Sequence, residues 1–387
     1  MAELTAISPA KLLEVGEQAT QEPQVEAKVT ARLVSLDAFR GLTILLMLLV
    51  NNIALDTATP VHLTHAPWNE GVRLADLVFP WFLLCVGIAI PFSARSAAKN
   101  GITGWRYAGK ILWRVVMMFA LGLLVDSAIQ RQPVFGLGVL QLIALAYLGG
   151  VILYRLPQVA RIIACGLLLG IYGIALKYIP VPGIGIPMFE EGTNLVRHVN
   201  DAYLTTIGLR GLPSAIPTAA LVGLGSLLGD FVLRKKETPI RKIVFLMAIG
   251  GVLALLGFWW NLALPFNKPV WTPAYILLSA GLGAILIALL YGLFDLRNRG
   301  RWAFPLVVFG SNALLAYVGP ILVKVLVLQV WTVGPPDARK TLQDAWLTSL
   351  TSSFGQVVGG LSYTISYIGI AWIALFICYK KGLFLRV

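Results

Sequence analysis

The chain has 387 residues, of which 58% are hydrophobic and only 13% are charged, and its formal net charge is +13. A soluble globular protein has roughly 25% charged residues, so this composition excludes an ordinary soluble enzyme. It is typical of an all-α polytopic membrane protein, because a backbone in lipid must satisfy its own hydrogen bonds and a helix does so within one segment. The apolar runs do not alternate with polar residues, which excludes an outer-membrane barrel.

Ten apolar segments are long enough to cross a bilayer, which takes about 20 residues at a rise of about 1.5 Å each. The predicted spans are 41–57, 74–94, 111–127, 136–154, 160–179, 214–233, 243–264, 273–294, 303–323 and 361–379. They predict a bundle of about ten transmembrane helices in one membrane domain, residues 32–387. Residues 1–31 are polar and are predicted to form a disordered cytoplasmic tail.

The basic residues predict the orientation of this bundle. With the N-terminus in the cytoplasm, most of the 31 lysine and arginine residues fall in or beside cytoplasmic connections. This positive-inside bias places both termini in the cytoplasm and accounts for the net charge without nucleic-acid binding. We expect the cytoplasmic (inner) membrane of a bacterium. Two outer connections are long, 180–213 and 324–360, and residues 343–360 are apolar enough either to enter the membrane or to lie on it.

Polar residues at both ends of the first span are candidates for function. Asp37 and Arg40 are three residues apart, so they share a helix face and can pair. Arg40 then either reaches the lipid headgroups or binds an anionic cytoplasmic cofactor. Asn51 and Asn52 lie late in the same span, where amides need partners. They either join helices by hydrogen bonds or present a polar group to a reacting carbonyl.

The three histidines all fall in predicted outer connections. His65 precedes the second span, and Asp76 lies two or three residues inside that span. Asp76 either anchors the end of the helix or orients His65 and raises its basicity, as carboxylates do for catalytic imidazoles. His62 and His198, with Glu190, are the remaining metal-ligating candidates, but no compact motif of defined spacing joins them. The site is therefore predicted without a metal.

Several short motifs carry a family resemblance in their order and spacing. They are Arg32–Gly41, Val50-Asn51, His65-Ala66 with Trp68-Asn69, Ala75–Phe82, Gly138–Gln141, Leu264–Lys268 with Trp271-Thr272, Phe309-Gly310 with Asn312–Leu314, and Tyr379–Val387. Over about residues 32–387 the chain resembles the family of the lysosomal heparan-α-glucosaminide N-acetyltransferase and its bacterial relatives. It resembles a bacterial-type homologue that lacks the luminal domain.

The resemblance implies a membrane-embedded acyltransferase. Such an enzyme moves an acetyl group from cytoplasmic acetyl-CoA to an amino sugar, or a related amine or hydroxyl acceptor, on the outer face. The family's essential histidine falls on His65 and its essential asparagine on Asn51. The stretch between them is a few residues longer here, and one extra residue lies between Trp68 and Asp76, so heparan sulfate is not the expected acceptor. The resemblance is compatible with a homodimer, for which the sequence indicates no interface.

Coenzyme A is polyanionic, so its phosphates need cations. The predicted cytoplasmic mouth offers Arg40, Arg95, Lys99, Arg106, Lys110 and Arg114. We predict donor contacts from Arg40, Arg95, Lys99 and Arg114, and from Asn312 in the ninth span. Arg114 is the strongest candidate, because it lies one turn inside the third span. The apolar pantetheine arm would then run between helices toward Asn51 and His65.

The chemistry leaves two routes and one competing class open. An imidazole has a reference pKa of about 6.5 and can be neutral near pH 7. His65 can therefore act as a base in a ternary complex or become the acyl carrier of a ping-pong reaction. The alternative class is a secondary transporter or permease for a small polar solute, which ten helices with Pro80 and Pro91 in the second span would suit. The acidic residues all lie near span ends, which favours the enzyme.

Overall fold

The computed structural model describes residues 33–186, 189–297 and 299–385, so the predicted tail of residues 1–31 lies outside the described residues. The helices are α1 Val34–Asn52, α2 Leu74–Lys99, α3 Gly104–Gln130, α4 Val139–Tyr154, α5 Gln158–Tyr178, α6 Leu195–Val199, α7 Ala215–Val232, α8 Pro239–Asn261, α9 Pro273–Leu290, α10 Phe304–Ser311, α11 Ala313–Val323, α12 Leu342–Phe354 and α13 Gln356–Lys380. Two short antiparallel strands precede α12, β1 Thr332–Val333 and β2 Lys340–Thr341.

The described helices confirm an all-α polytopic membrane protein. Eight of them are long and apolar enough to cross a membrane. The predicted span 303–323 is broken into α10 and α11, which are bent by 66° from each other. The remaining predicted span is α4, an apolar helix of 16 residues. Helices α3, α8 and α13 expose many large apolar side chains, which suits contact with lipid.

Helix α1 starts earlier and ends earlier than the predicted span 41–57. Its first backbone amides, of Val34 and Ser35, donate to the two carboxylate oxygens of Asp295 at 3.1 and 3.0 Å. The first amides of a helix have no partner inside it, and an acidic group also suits the positive end of the helix dipole. A cap supplied from 261 residues away therefore sets where α1 begins.

Helices α1 and α10 pack with their backbones in close approach. A Cβ atom at Gly41 would collide with the Leu306 carbonyl, and one at Gly310 would collide with the Asp37 carbonyl. Small residues at such crossings allow helices to approach closely. The predicted pairing of Arg40 with Asp37 is confirmed, with 3.5 Å between Arg40 Nη1 and Asp37 Oδ1. The Arg40 guanidinium also donates to the Gly310 carbonyl at 3.2 Å.

The long connection 324–360 contains α12, whose 13 residues are too few to cross a bilayer. Trp346 of α12 packs edge-on against Tyr363 of α13 at a centroid distance of 4.9 Å. Gly355, at a φ of 79°, separates the two helices. Such a left-handed backbone is readily adopted by glycine, and here it lets the chain turn from α12 into α13.

Three loops meet at one end of the bundle, which we call the His65 end: residues 53–73, the described parts of 179–214, and 262–272. Buried residues from these loops and from α5 form one apolar cluster beneath them. Its members are Tyr172, Leu176, Phe189, Val196, Leu264 and Val270, with Trp68 and Trp260 packed against it. This cluster supports the loops that hold the site.

Candidate active site

His65 lies in the connection between α1 and α2, and Arg73 holds its backbone. The guanidinium of Arg73 donates to the Thr64 hydroxyl at 2.7 Å and to the His65 carbonyl at 3.0 Å. The Thr64 hydroxyl in turn donates to the Val61 carbonyl at 2.8 Å. The loop is therefore fixed on both sides of the histidine, although the His65 side chain itself is 54% exposed.

Asp76 binds the imidazole of His65, as the sequence spacing allowed. Its Oδ1 atom lies 2.8 Å from His65 Nδ1. Its Oδ2 atom accepts the backbone amides of Ala66 and Arg73, both at 3.1 Å. The carboxylate is only 3% exposed, and a buried carboxylate needs such partners. Because a carboxylate accepts the Nδ1 proton, the lone pair of the neutral ring is left on Nε2.

Lys268 is the third member of this arrangement, and the sequence analysis did not assign it a role. Its ammonium lies 3.0 Å from His65 Nδ1, 3.4 Å from His65 Nε2 and 3.5 Å from Asp76 Oδ1. Burial lowers the pKa of Lys268 below its ordinary value, and the charge of Asp76 opposes that shift. The one available signal was that Lys268 ends a motif shared with the family and lies in a predicted outer connection.

Side chains tie the three loops of the His65 end together. Asn69 donates to the Phe189 carbonyl at 3.1 Å, and its own amide oxygen accepts from Asn267 at 3.0 Å. The Trp68 indole also donates to the Phe189 carbonyl, at 3.0 Å. Asn69, Phe189 and Trp271 have positive φ angles of 60°, 59° and 54°. Such conformations cost of order 1–3 kcal/mol each and persist where surrounding contacts impose them, often at functional sites.

Asn51 and Asn52 take different positions. Asn52 is buried, donates to the Leu48 carbonyl at 2.8 Å and accepts from the Lys324 ammonium at 2.9 Å, so it joins helices. Asn51 is exposed at the last turn of α1. Along α1, Arg40, Ile44, Met47 and Asn51 follow one another at spacings of four, three and four residues. Residues at these spacings lie on one face of a helix.

That face of α1 lines a cavity of about 390 Å³ between α1, α2, α3, α4 and the α10–α11 break. Its walls are largely apolar, from side chains such as Ile44, Met47, Phe82 and Met118, with Arg40 and Arg114 among the polar members. Asn51 lies one turn beyond Met47, or about 6 Å along the helix axis. The cavity face therefore leads along α1 from Arg40 toward the His65 end.

A second cavity, of about 770 Å³, lies at the opposite end of the bundle, which we call the basic end. Its wall includes Arg106, Lys110 and Arg114, and it shares Ser93, Arg114 and Tyr147 with the first cavity. The guanidinium of Arg114 lies over the Tyr147 ring at 6.0 Å. The predicted cations Arg40 and Arg114 are thus brought to the cavities.

Arg95 and Lys99 are not among the residues lining either cavity. Both are exposed, and Arg95 donates to the Leu233 carbonyl at 3.2 Å. Their predicted contact with the donor stays a prediction.

Asn312 lines the first cavity at the break between α10 and α11, and it is buried. Its Nδ2 donates to the Leu383 carbonyl at 3.0 Å, and its Oδ1 accepts from the Leu385 amide at 3.1 Å. Leu385 also lines this cavity. The amide predicted to contact the donor therefore holds the C-terminal segment against the cavity, while the donor contact itself stays a prediction.

The other histidines lie apart from this arrangement. His62 is exposed in a short 3-10 turn, and His198 packs edge-on to Tyr203 at 6.3 Å. Within residues 33–186, 189–297 and 299–385, no three histidine, cysteine or acidic side chains are grouped so that they could hold a metal ion.

The fold defines a multi-pass helical membrane protein, with a histidine paired to a carboxylate at one end and a largely apolar cavity between its helices. Comparison with known proteins narrows this class to one family. A sequence model of the family described as heparan-alpha-glucosaminide N-acetyltransferase, catalytic, matches residues 32–259, more than half of the chain. The chain therefore belongs to this transmembrane acetyltransferase family, as its motifs indicated. His65, Asn51 and Asp76 lie inside the matched region, and Lys268 and Asn312 lie beyond it.

Two relatives are similar over most of the chain. The human heparan-alpha-glucosaminide N-acetyltransferase is 27% identical over 362 residues, which cover 74% of this chain and 52% of the human protein. The mouse protein of the same name is 24% identical over 371 residues, which cover 78% of this chain and 55% of the mouse protein. The chain thus spans about half the length of the relatives that it matches.

Proposed function

We propose that this protein transfers the acetyl group of acetyl-CoA to an amine acceptor, with His65 as the reacting base. One observation carries the proposal. Arg40, near the basic end, and Met47 both line the apolar cavity, and Asn51 lies one turn beyond Met47 on the same face of α1, at the His65 end. The cavity face therefore leads from a cluster of cations toward a histidine paired with a carboxylate.

The two cavities suit the two parts of coenzyme A. Its phosphates need cations, which Arg106, Lys110 and Arg114 supply in the wall of the larger cavity. Its pantetheine arm is mostly apolar and suits the cavity lined by Ile44 and Met47. Because Arg114 and Tyr147 border both cavities, a single extended molecule can occupy both. The thioester then lies toward Asn51.

The His65 site supplies the chemistry that acyl transfer needs. Asp76 accepts a hydrogen bond from Nδ1, which leaves the lone pair on Nε2 to remove a proton from the acceptor amine. Asn51 offers an amide, which can donate a hydrogen bond to the thioester carbonyl. His65 as a transient acyl carrier would use the same Nε2 atom. Both routes require the neutral imidazole that the bond to Asp76 orients.

The positive-inside bias supports an orientation in which the basic end faces the cytoplasm and both termini lie inside. Acetyl-CoA would then enter from the cytoplasm, and the acceptor would bind at the outer His65 end. We propose an amino sugar or related amine as the acceptor, because the human and mouse relatives are named N-acetyltransferases of an α-glucosaminide. The inner membrane of a bacterium remains our proposed location.

The proposal is tested by measuring CoA release from purified protein with acetyl-CoA and a panel of amino sugars. We expect release that depends on an acceptor and is lost in His65→Ala, because the variant has no base at the site. His62→Ala is the matched control, since His62 is an exposed histidine of the same loop. Its activity should equal that of the wild type.

Thermal unfolding with and without CoA separates the enzyme from a transporter. Any ligand that binds only the folded state raises its stability by mass action. The enzyme should therefore be stabilised by CoA, and so should the His65→Ala variant, because the phosphates bind at the other end. Absence of stabilisation by CoA in a folded preparation would rule out the acetyltransferase and direct attention to transport.

A further inference from the structure

Lys268 is held in place by the side chains around it. The backbone amide of Asn267 donates to the Thr272 hydroxyl at 3.0 Å, and the Asn267 side chain donates to Asn69 at 3.0 Å. The first contact shapes the loop 262–272, and the second fastens it to the loop that carries His65. A lysine on so constrained a backbone has a defined position relative to the histidine.

A role as counter-ion of Asp76 explains only part of this geometry. Such a role needs the single contact of 3.5 Å between the Lys268 ammonium and Asp76 Oδ1. The ammonium lies closer to the imidazole, at 3.0 Å from Nδ1 and 3.4 Å from Nε2 of His65. With Nδ1 donating its hydrogen bond to Asp76, the lone pair is on Nε2, and the ammonium lies 3.4 Å from that nitrogen.

Within the described part of the chain, Lys268 is the cation that faces the His65 ring. Arg73 is also close, but its guanidinium donates to the Thr64 hydroxyl and to the His65 carbonyl, so it faces the backbone. Asp76 faces the ring from α2. Glu70 and Glu190 are exposed on the adjoining loops, and no ion pair joins them to this group.

We propose that the Lys268 ammonium stabilises the negative charge that develops on the thioester oxygen when the acetyl group is attacked beside His65 Nε2. This inference rests on the proposed acetyl transfer. A fixed cation beside a developing oxyanion lowers the barrier because it needs no reorganisation during the reaction.

The step balances without a further reactant. The acceptor amine gives one proton to His65 Nε2 while its nitrogen forms a bond to the thioester carbon. The carbonyl oxygen gains the electron pair and is held by Lys268. The oxygen then re-forms the double bond, the carbon–sulfur bond breaks, and the CoA thiolate leaves with the proton from His65. The products are the acetylated amine and CoA. Attack by Nε2 itself would generate the same oxyanion.

The test compares three substitutions of Lys268 with one matched control. Lys268→Met removes the charge, Lys268→Gln removes the charge but retains a hydrogen-bond donor for Asp76, and Lys268→Arg retains the charge. Lys340→Met is the control, because Lys340 is exposed in β2. For each protein, kcat, the KM for acetyl-CoA and the thermal midpoint are measured.

We expect kcat to fall by about 10²–10³-fold in both uncharged variants, the range for loss of one oxyanion-stabilising group. Lys268→Arg should recover much of that loss. The KM for acetyl-CoA should stay unchanged, because the phosphates bind at the basic end.

Other outcomes would overturn the inference. A counter-ion role alone would lower the thermal midpoint of Lys268→Met while leaving the kcat of the folded protein unchanged. Equal activity in Lys268→Gln and wild type would exclude an electrostatic role, even if Lys268→Met failed to fold. Both results presuppose active wild-type protein. A folded wild type that transfers no acetyl group would instead overturn the proposed function itself, and this inference with it.

Discussion

At the scale of single residues, the site depends on how a buried carboxylate is satisfied. Asp76 is 3% exposed and binds His65, Lys268 and two backbone amides. A buried charge without such partners would be costly. The same contacts that satisfy Asp76 also orient the imidazole and place a cation beside it. One residue at the first turn of α2 therefore organises the site.

Lys268 leads to a prediction about stability and pH. Burial lowers its pKa in the folded protein. Between that lowered value and the unfolded value of about 10.4, the unfolded chain binds more protons than the folded chain. The free energy of unfolding therefore gains a contribution that rises with pH through this window. Lys268→Met removes the contribution, so the stability of wild type relative to the variant should increase as pH rises through the window.

Unfolding of both proteins in detergent at a series of pH values measures this difference, in which the titration of all other groups largely cancels. Lys340→Met serves as the control, since an exposed lysine should give a difference that does not vary with pH. A wild-type advantage that shrinks as pH rises would mean that attraction to Asp76 outweighs the effect of burial, and the prediction would be wrong.

At the scale of elements, a break in one helix shapes the proposed donor cavity. The run 303–323 is apolar apart from Ser311 and Asn312, and its pattern predicts one continuous helix. In the structure the backbone leaves the helical conformation at Asn312, with φ −131° and ψ 48°. An asparagine side chain can replace backbone hydrogen bonds in this way. Here it binds the backbone of Leu383 and Leu385 and so brings the C-terminal segment to the cavity wall.

Asn312→Ala should loosen this segment and weaken the binding of CoA. Loss of the two hydrogen bonds should lower the free energy of unfolding by about 1–3 kcal/mol. The Kd for CoA, measured by calorimetric titration, should rise because Leu385 no longer holds its place in the wall. Gln356→Ala is the control, since it removes one amide contact, to Asp56 at 2.6 Å, at the His65 end. A folded Asn312→Ala protein with unchanged Kd would refute this role.

At the scale of the whole molecule, the two ends of the bundle carry different chemistry. The basic end combines Arg106, Lys110 and Arg114 around a large cavity. The His65 end combines the histidine, its carboxylate and a lysine on loops that are fastened to one another. The α1 face from Arg40 to Asn51 connects them. This arrangement suits a reaction whose two substrates arrive from opposite sides of a membrane.

Proteoliposomes test that arrangement. We expect labelled acetyl groups to pass from acetyl-CoA on one side to an amino sugar enclosed on the other, because acetyl-CoA cannot cross the bilayer and enters at the basic end. Vesicles containing His65→Ala are the control and should form no product. With protein of uniform orientation, both substrates supplied only at the His65 end should give no product. Equal rates from that side would show that the donor does not enter at the basic end.

The sequence by itself determined the class of the protein and its local features. The length and apolarity of the segments predict a helical membrane protein, because a segment in lipid must satisfy the hydrogen bonds of its own backbone. The Asp37–Arg40 pair follows from helical periodicity, and the pairing of His65 with Asp76 was one of two roles for Asp76 that their separation of 11 residues allowed. The family motifs added the choice of His65 and Asn51 as reacting groups. Each of these inferences needs only residues that are close in the chain.

Only the tertiary structure decided the contacts between distant segments. Lys268 and His65 are 203 residues apart, and Asp295 caps α1 from 261 residues away. The break at Asn312 depends on backbone groups of Leu383 and Leu385, more than 70 residues further on. No local pattern encodes these contacts, because they exist only after packing of the helices brings their ends together. The cation at the histidine and the wall of the donor cavity are both products of that packing.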